Sequence, residues 1–212
     1  MSRPTSSSLD PIRSIIRKII RQFARFLNWI TRGKITPNFV TYTGLVAHLP
    51  IAYLIAVNHD TLAAVLLIIF GLFDTLDGEL ARLQHSDSVR GMLLDAVTDR
   101  FKEVMLYTAI GYNLINSGHP YLAVWAVFAC GASLSVSYVK AKGEVAYLSL
   151  GNLEKNINNY FKDGLMRFEV RLLVIVLGLL TNYLAAAIII IAVIASYTAM
   201  SRFIKISHKL DV

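Results

Sequence analysis

Four aspartates stand at regular spacing within two stretches that are otherwise largely apolar. Asp74 and Asp77 are three residues apart, and Asp95 and Asp99 are four residues apart. In a helix, these spacings place the members of each pair on one face. Carboxylates that converge on a small volume repel one another unless a cation neutralises them. All-oxygen ligands suit Mg²⁺ or Mn²⁺, so the sequence predicts a divalent-metal site between two packed helices.

Small residues accompany the aspartates on the same helix faces. Gly78 and Ala81 continue the stripe of the first aspartate pair, and Gly91 begins the stripe of the second pair. Glycine has no side chain, so a ligand or a second backbone can approach closely at these positions. A carboxylate at membrane depth is expensive to maintain, and it therefore marks a functional site.

The composition is typical of a membrane protein. Of the 212 residues, 55% are hydrophobic and 17% are charged, which is too apolar for an ordinary soluble domain. The formal net charge is +7. In so apolar a chain, this charge indicates the positive-inside rule and contact with anionic lipid rather than nucleic acid. We therefore expect an all-α integral membrane protein with no nucleic-acid partner.

The N-terminal segment differs in pattern from the rest of the chain. Isoleucines and phenylalanines recur at helical spacing over residues 12–30, with basic residues between them. Asp10 and Pro11 are suited to cap and begin this helix. The pattern is typical of a basic amphipathic helix on the cytoplasmic leaflet, although a soluble helix packed on a partner domain would share it. Residues 1–34 are assigned to a disordered start and this interfacial helix, and residues 35–212 to a membrane domain.

Six apolar segments follow the interfacial helix, and each approaches the roughly 20 residues that cross a bilayer. The predicted transmembrane helices are residues 38–57, 61–83, 92–115, 120–140, 166–180 and 183–202. The turns at 58–60, 116–119 and 181–182 contain no Lys or Arg, so the positive-inside rule places them outside. Both termini and the aspartates are then expected on the cytoplasmic side.

The complete spacing resembles the motif of the CDP-alcohol phosphatidyltransferases. The eight matching positions are Asp74, Asp77, Gly78, Ala81, Arg82, Gly91, Asp95 and Asp99. The resemblance implies a homodimeric enzyme that transfers a phosphatidyl group from a CDP-linked lipid to an alcohol and releases CMP. It also implies that the four aspartates hold Mg²⁺ or Mn²⁺, expected as two ions. Asp99 is then the expected general base for the acceptor hydroxyl.

The same resemblance assigns residues to the CDP-linked lipid. These residues are Thr41, Gly78, Ala81 and Arg82. Thr41 belongs to a Pro-Asn-x2-Thr segment that lines the nucleotide pocket in the family, and the Arg82 guanidinium suits a bidentate contact with a diphosphate. Glu79 falls off the aspartate stripe and is interpreted as a supporting pocket residue. His48 lies on an apolar helix and is interpreted as a packed core histidine.

Basic residues cluster after the fourth apolar segment and at the start of the fifth. The cluster consists of Lys140, Lys142, Arg167 and Arg171. The stretch from Ser137 to Lys142 resembles the Ser-Tyr-x2-Ala-Arg stretch of the phosphatidylinositol-phosphate synthases. The segment around Arg167 and Arg171 resembles their Glu-Arg-Pro-Glu-Arg-Leu stretch, but Phe168 replaces the proline and Val170 adds a residue. The resemblance implies a pocket for a phosphorylated acceptor, with inositol 1-phosphate first, glycerol 3-phosphate second and an aminoalcohol third. Ordinary interfacial basic residues would have the same pattern, and the connection 143–164 is expected to be a short helix or a lid.

Two functions from other classes share part of this pattern. A cation transporter would use the aspartates as an ion path, but it would not need the glycines, alanine and arginine of the motif. A catalytically silent lipid-binding subunit would tolerate a degraded motif, and none of the eight positions is degraded here. The enzyme is therefore the prediction.

Overall fold

The computed structural model describes residues 10–149 and 165–210, and this part of the chain is almost entirely helical, with no strand. Eight helices follow one another along these two segments. They are α1 (Asp10–Ile30), α2 (Pro37–Ala56), α3 (Asp60–Gly71), α4 (Phe73–Leu83), α5 (Val89–Asn116), α6 (Pro120–Ser149), α7 (Phe168–Thr181) and α8 (Leu184–Leu210). The prediction of an all-α protein is confirmed.

Four helical segments in the described part of the chain are long and apolar enough to cross a membrane. They are Pro37–Ala56, Asp60–Leu83, Pro120–Ser149 and Leu184–Leu210. The second of these joins α3 and α4, which meet at Leu72. Helix α5 is long enough but carries several charged residues in its first half, and α7 has only 14 residues. The chain is thus a multi-pass membrane protein.

The helix ends lie close to the predicted ones, with two exceptions. Helix α8 continues to Leu210, beyond the predicted end at residue 202. Helix α6 continues to Ser149, well beyond the predicted end at residue 140. This extension packs closely on α8, because a Cβ atom at Gly143 would lie 2.6 Å from Cδ1 of Ile206. The first part of the predicted connection 143–164 is therefore helical. The rest of that connection, and the disorder predicted for residues 1–9, lie outside the described residues.

In one compact unit, formed by Met1–His48 and Ile68–Lys102, α1 packs against α4. The shared apolar core consists of Ile20, Ala24, Val40, Leu76 and Leu80. Ala24 and Leu80 are completely buried, and burial of this apolar area stabilises the contact. The N-terminal helix is thereby attached to the helix that carries the first aspartate pair.

In the other compact unit, formed by Leu49–Leu67 and Glu103–Val212, α6 runs along α8 and α7 packs on α8. Small buried side chains line the facing surfaces, and these are Ala126, Ala129, Ala132 and Ser133 on α6 and Ala187, Ala192 and Ala195 on α8. Small residues allow helix backbones to approach closely, which is the usual basis of helix packing in membranes. A Cβ atom at Gly178 of α7 would lie 2.6 Å from the Ala187 Cβ.

We predict that Gly178→Ala destabilises the protein by about 1–3 kcal/mol, because the added methyl group meets a side chain that cannot rotate away. The matched control is Gly131→Ala on α6, where a Cβ atom would have no neighbour within 4 Å. That change should be neutral or stabilising, since alanine favours a helix over glycine. Thermal unfolding in detergent measures both, and equal melting temperatures for the two variants would contradict the packing described.

Candidate metal and nucleotide site

Three of the four motif aspartates come together where α4 faces α5. Asp74 on α4 and Asp95 and Asp99 on α5 each offer a carboxylate oxygen, and these oxygens all lie within 4.8 Å of one another. The three side chains are partly buried. Oxygens at this separation can bind a common cation, and the helical spacing of Asp95 and Asp99 directs both toward α4.

The orphaned oxygen of Asp95 tests whether these residues fit a metal ion. Asp95 Oδ1 is buried and has no hydrogen-bond partner in the described part of the chain. Burying a carboxylate oxygen without a partner is costly, and a divalent cation would satisfy it. The ligand set contains only carboxylates, which suits Mg²⁺ or Mn²⁺ better than zinc. The residues present therefore fit the predicted cation.

Asp77, the fourth aspartate, makes a different contact. Its side chain is only 6% exposed, and the Thr41 hydroxyl donates a hydrogen bond to its Oδ2 at 2.6 Å. Asp77 is not part of the three-carboxylate group. The contact joins α2 to α4, so the predicted nucleotide residue Thr41 and the predicted metal ligand Asp77 are direct neighbours.

Lys102 is a site residue that was not among those predicted from the sequence. Its side chain is completely buried. The ammonium group donates a hydrogen bond to Oδ1 of Asp74 and lies 3.4 Å from Oδ1 of Asp99. Lys102 follows Asp99 by three residues, and residues at that spacing are neighbours on a helix. That spacing is the signal by which the sequence could have identified it.

Arg82 and Glu79 form a second charged group on α4. Glu79 is 3% exposed and accepts hydrogen bonds from Arg82 Nη2 at 2.8 Å and from Arg21 Nε of α1 at 3.1 Å. The Arg82 side chain remains 57% exposed. A Cβ atom at Gly78 would lie 3.9 Å from both terminal nitrogens of Arg82. The guanidinium therefore lies beside the helix surface at Gly78, which has no side chain. Ala81 follows about one turn later on the same face of α4.

His48 has the environment of a core residue. It is 1% exposed, and its Nδ1 lies 2.7 Å from the carbonyl oxygen of Gly44, in the preceding turn of α2. A ring nitrogen that donates to a backbone carbonyl is satisfied without a metal. The interpretation of His48 as a packed histidine matches this geometry.

Arg171, one of the four predicted acceptor residues, lies deep in the second compact unit. It is 2% exposed. Its Nε donates to Glu103 Oε1 at 2.7 Å, and its Nη1 donates to the Met166 carbonyl oxygen at 2.6 Å. Its Nη2 is buried with no hydrogen-bond partner in the described part of the chain. Glu103 was not predicted from the sequence, because the two residues are 68 positions apart.

The other predicted acceptor residues are less deeply placed. Lys140 lies 3.5 Å from a carboxylate oxygen of Glu144, one turn later on α6. The Lys142 ammonium lies 5.9 Å from the centre of the Tyr138 ring, within range of a cation–π interaction. Arg167 immediately precedes α7 in an extended conformation. All of these residues belong to the second compact unit, and the aspartates belong to the first.

Comparison with known proteins gives consistent matches. Residues 34–198 match the model of the family described as CDP-alcohol phosphatidyltransferase. The phosphatidylinositol phosphate synthase of Corynebacterium glutamicum is 35% identical over 149 residues, which cover 69% of this chain and 63% of that protein, just under two thirds of its length. The archaetidylinositol phosphate synthase of Methanothermobacter thermautotrophicus is 28% identical over 213 aligned residues, which cover 96% of each chain.

Solved structures show the same fold. The phosphatidylinositol phosphate synthase of Mycobacterium tuberculosis with CDP-DAG bound superposes with a TM-score of 0.75 at 23% identity. The match covers 89% of this chain and 94% of that one. A structure of the same enzyme in complex with manganese and citrate has a TM-score of 0.73.

We predict that Thr41→Val destabilises the protein by about 1.5–3 kcal/mol, because it removes a hydrogen bond to a buried carboxylate. Thr43→Val is the matched control. Each hydroxyl contacts a backbone carbonyl four residues earlier, and Thr41 also donates to Asp77. Thr43→Val should change stability by no more than about 0.5 kcal/mol. Thermal unfolding compares the two variants, and an equal loss in both would mean that the Asp77 contact contributes nothing.

Proposed function

Since the chain belongs to the CDP-alcohol phosphatidyltransferase family, we propose that it transfers a phosphatidyl or related lipid-phosphate group from a CDP-linked lipid to a polar alcohol, releasing CMP. The observation that carries this proposal is the carboxylate group of Asp74, Asp95 and Asp99, with oxygens within 4.8 Å of one another. Such a group suits divalent cations, which phosphoryl-transfer enzymes use to neutralise phosphate charge. The named relatives favour a phosphorylated acceptor, and inositol 1-phosphate is our first choice.

We infer that Asp74, Asp77, Asp95 and Asp99 hold Mg²⁺ or Mn²⁺ as two ions. The orphaned Asp95 oxygen supports at least one cation position. Asp77 is the neighbour on the same helix face that supplies further ligand oxygens. When bound, the metal neutralises the diphosphate of the donor and stabilises the departing CMP oxygen.

Asp99 is proposed as the general base. It takes the proton of the acceptor hydroxyl, the acceptor oxygen attacks the phosphorus that carries the lipid, and the bond from that phosphorus to CMP breaks. The Asp99 side chain is 17% exposed, so it is not sealed from a substrate. Most of the rate enhancement would come from positioning and electrostatics.

The CDP moiety is proposed to lie against α2 and α4. The exposed Arg82 guanidinium suits a contact with the diphosphate, and its hydrogen bond to the buried Glu79 carboxylate orients the guanidinium. Because Gly78 has no side chain and Ala81 has only a methyl group, a ligand can approach the backbone of α4 closely at these positions. Thr41, bonded to Asp77, is proposed to line the same pocket.

The acceptor phosphate is proposed to bind the basic cluster of Lys140, Lys142, Arg167 and Arg171. The buried Nη2 of Arg171 supports this assignment, because it is a donor without a hydrogen-bond partner in the described residues. A phosphate oxygen would satisfy it through a charge-assisted bond. Glycerol 3-phosphate and an aminoalcohol are the alternatives to inositol 1-phosphate.

The proposed enzyme crosses the membrane six times, with both termini and the active site in the cytoplasm. Two spans beyond the four apolar ones would be α5 and α7. Exposed apolar side chains on α1, including Phe23, Phe26 and Trp29, support an interfacial position for that helix. Its basic residues suit anionic lipid. The family resemblance supports a homodimer.

The test of this function is an acceptor screen with labelled CDP-diacylglycerol, Mg²⁺ and the purified protein, in which CMP release is measured. We expect release with inositol 1-phosphate, loss of release in excess chelator, and recovery with Mg²⁺ or Mn²⁺. Full activity in chelator would contradict the metal assignment. Ion flux through protein-containing vesicles without CMP release would favour a transporter. The absence of both ion flux and CMP release would favour a silent lipid-binding subunit.

We predict that Asp99→Asn lowers kcat by about two to four decades, because asparagine keeps the shape but cannot take a proton at neutral pH. CDP-diacylglycerol should still bind in the presence of Mg²⁺. Asp77→Asn is the comparison variant, since loss of a metal ligand should weaken metal and donor binding together. Donor affinity is measured for both at one sub-saturating Mg²⁺ concentration. Matching losses of affinity would remove the reason for naming Asp99 as the base.

A further inference from the structure

The cluster of three carboxylates, Asp74, Asp95 and Asp99, already includes a positive charge that the chain itself supplies. The Lys102 ammonium donates to Oδ1 of Asp74 on one helix and lies 3.4 Å from Oδ1 of Asp99 on its own helix. Lys102 is completely buried, whereas the Asp74 and Asp99 side chains are 18% and 17% exposed. The ammonium therefore lies on the inner side of the carboxylates, and the outer side remains accessible.

Packing holds the Lys102 side chain in this position. The backbone of α2 passes close by, so that a Cβ atom at Gly44 would lie 3.9 Å from the ammonium nitrogen and 3.6 Å from the Cβ of Phe73. The neighbouring His48 ring is bonded through Nδ1 to the Gly44 carbonyl. A buried ammonium is stable only when it is paired, and the two carboxylates are its charged partners.

A metal ion at the same carboxylates would meet this ammonium at short range. The oxygens of Asp74, Asp95 and Asp99 lie within 4.8 Å of one another, and Lys102 already contacts two of these three residues. Two cations that share such a small volume repel each other strongly. By contrast, Asp95 Oδ1 is buried and has no hydrogen-bond partner in the described residues, so a cation would meet no competing donor at this oxygen. Lys102 thus engages one oxygen of Asp74 and one of Asp99, whereas Oδ1 of Asp95 has no partner in the described residues.

We propose that Lys102 is a built-in counter-cation that competes with bound metal for Asp74 and Asp99. Without metal, its ammonium holds the carboxylates of α4 and α5 together. When metal binds, the ammonium yields these oxygens. Lys102 therefore keeps the site assembled and weakens its affinity for a divalent ion. This inference rests on the proposed function, because it requires that the aspartates bind a divalent cation.

The charge balance gives a consequence for substrate binding. Two divalent ions and Lys102 together exceed the charge of the four motif carboxylates by one. This excess disfavours the second ion in the free protein. A diphosphate would remove the excess, so the second ion binds together with the CDP-linked donor.

The experiment measures Mn²⁺ binding by electron paramagnetic resonance, and thermal unfolding with chelator or with Mn²⁺, on the full chain in detergent. Lys102→Met removes the charge and keeps a buried side chain of similar length. Arg90→Met removes the same charge from an exposed position on the same helix. Lys102→Met should tighten Mn²⁺ binding on the order of tenfold, lower the melting temperature in chelator, and increase the rise in melting temperature that Mn²⁺ produces. Arg90→Met should leave all three nearly unchanged.

Unchanged or weaker Mn²⁺ binding by Lys102→Met, with the same loss of melting temperature with and without Mn²⁺, would overturn the proposal and leave Lys102 a packing residue. If Lys102→Met does not fold, Lys102→Gln provides the same comparison, because its amide still donates a hydrogen bond but carries no charge. Absence of Mn²⁺ binding by the wild-type chain would instead refute the metal site of the proposed function, and the competition with it.

Discussion

Repulsion among crowded carboxylates is the constraint on which the aspartate site depends. Helices α4 and α5 bring Asp74, Asp95 and Asp99 together, and three negative charges at this separation are unstable without compensation. The chain supplies part of the compensation through the buried ammonium of Lys102. Lys102 does not compensate the Asp95 Oδ1 atom, which has no hydrogen-bond partner in the described residues and would be stabilised by a cation. Because negative charge remains in excess at the three carboxylates, the site is suited to bind a metal ion that also contacts a diphosphate.

A second buried ion pair lies at Glu103, the residue that follows Lys102 on α5. Glu103 pairs with Arg171 of α7, and one turn later the Tyr107 hydroxyl lies 2.8 Å from the Ser133 hydroxyl of α6. Breaking a buried pair leaves an uncompensated charge, which is strongly destabilising. A role for Arg171 in binding an acceptor phosphate therefore has to be compatible with its bond to Glu103. The second terminal nitrogen of Arg171, which has no partner in the described residues, is the group that remains for this purpose.

Much of the site was predictable because its signal is local. The spacing of the motif predicted that each aspartate pair lies on one helix face and that all four carboxylates converge, and the structure brings three of the four together. The apolar pattern predicted the helices, and most of their ends, from local composition. The C-terminal ends of α6 and α8 were missed. The two helices lie close together there, at Gly143 and Ile206, and no local pattern reveals a contact between helices.

The family, the helical class and the carboxylates that share a helix face could all be read from the amino-acid sequence, since helical periodicity depends only on neighbouring residues. The partners of these side chains became known only from the packing of the helices. This packing pairs Lys102 with Asp74, Thr41 with Asp77, and Arg171 with Glu103. The reason is physical. Partners that lie on different helices, 28 to 68 positions apart, meet only through the angle and depth at which those helices pack, and spacing along the chain carries no information about either.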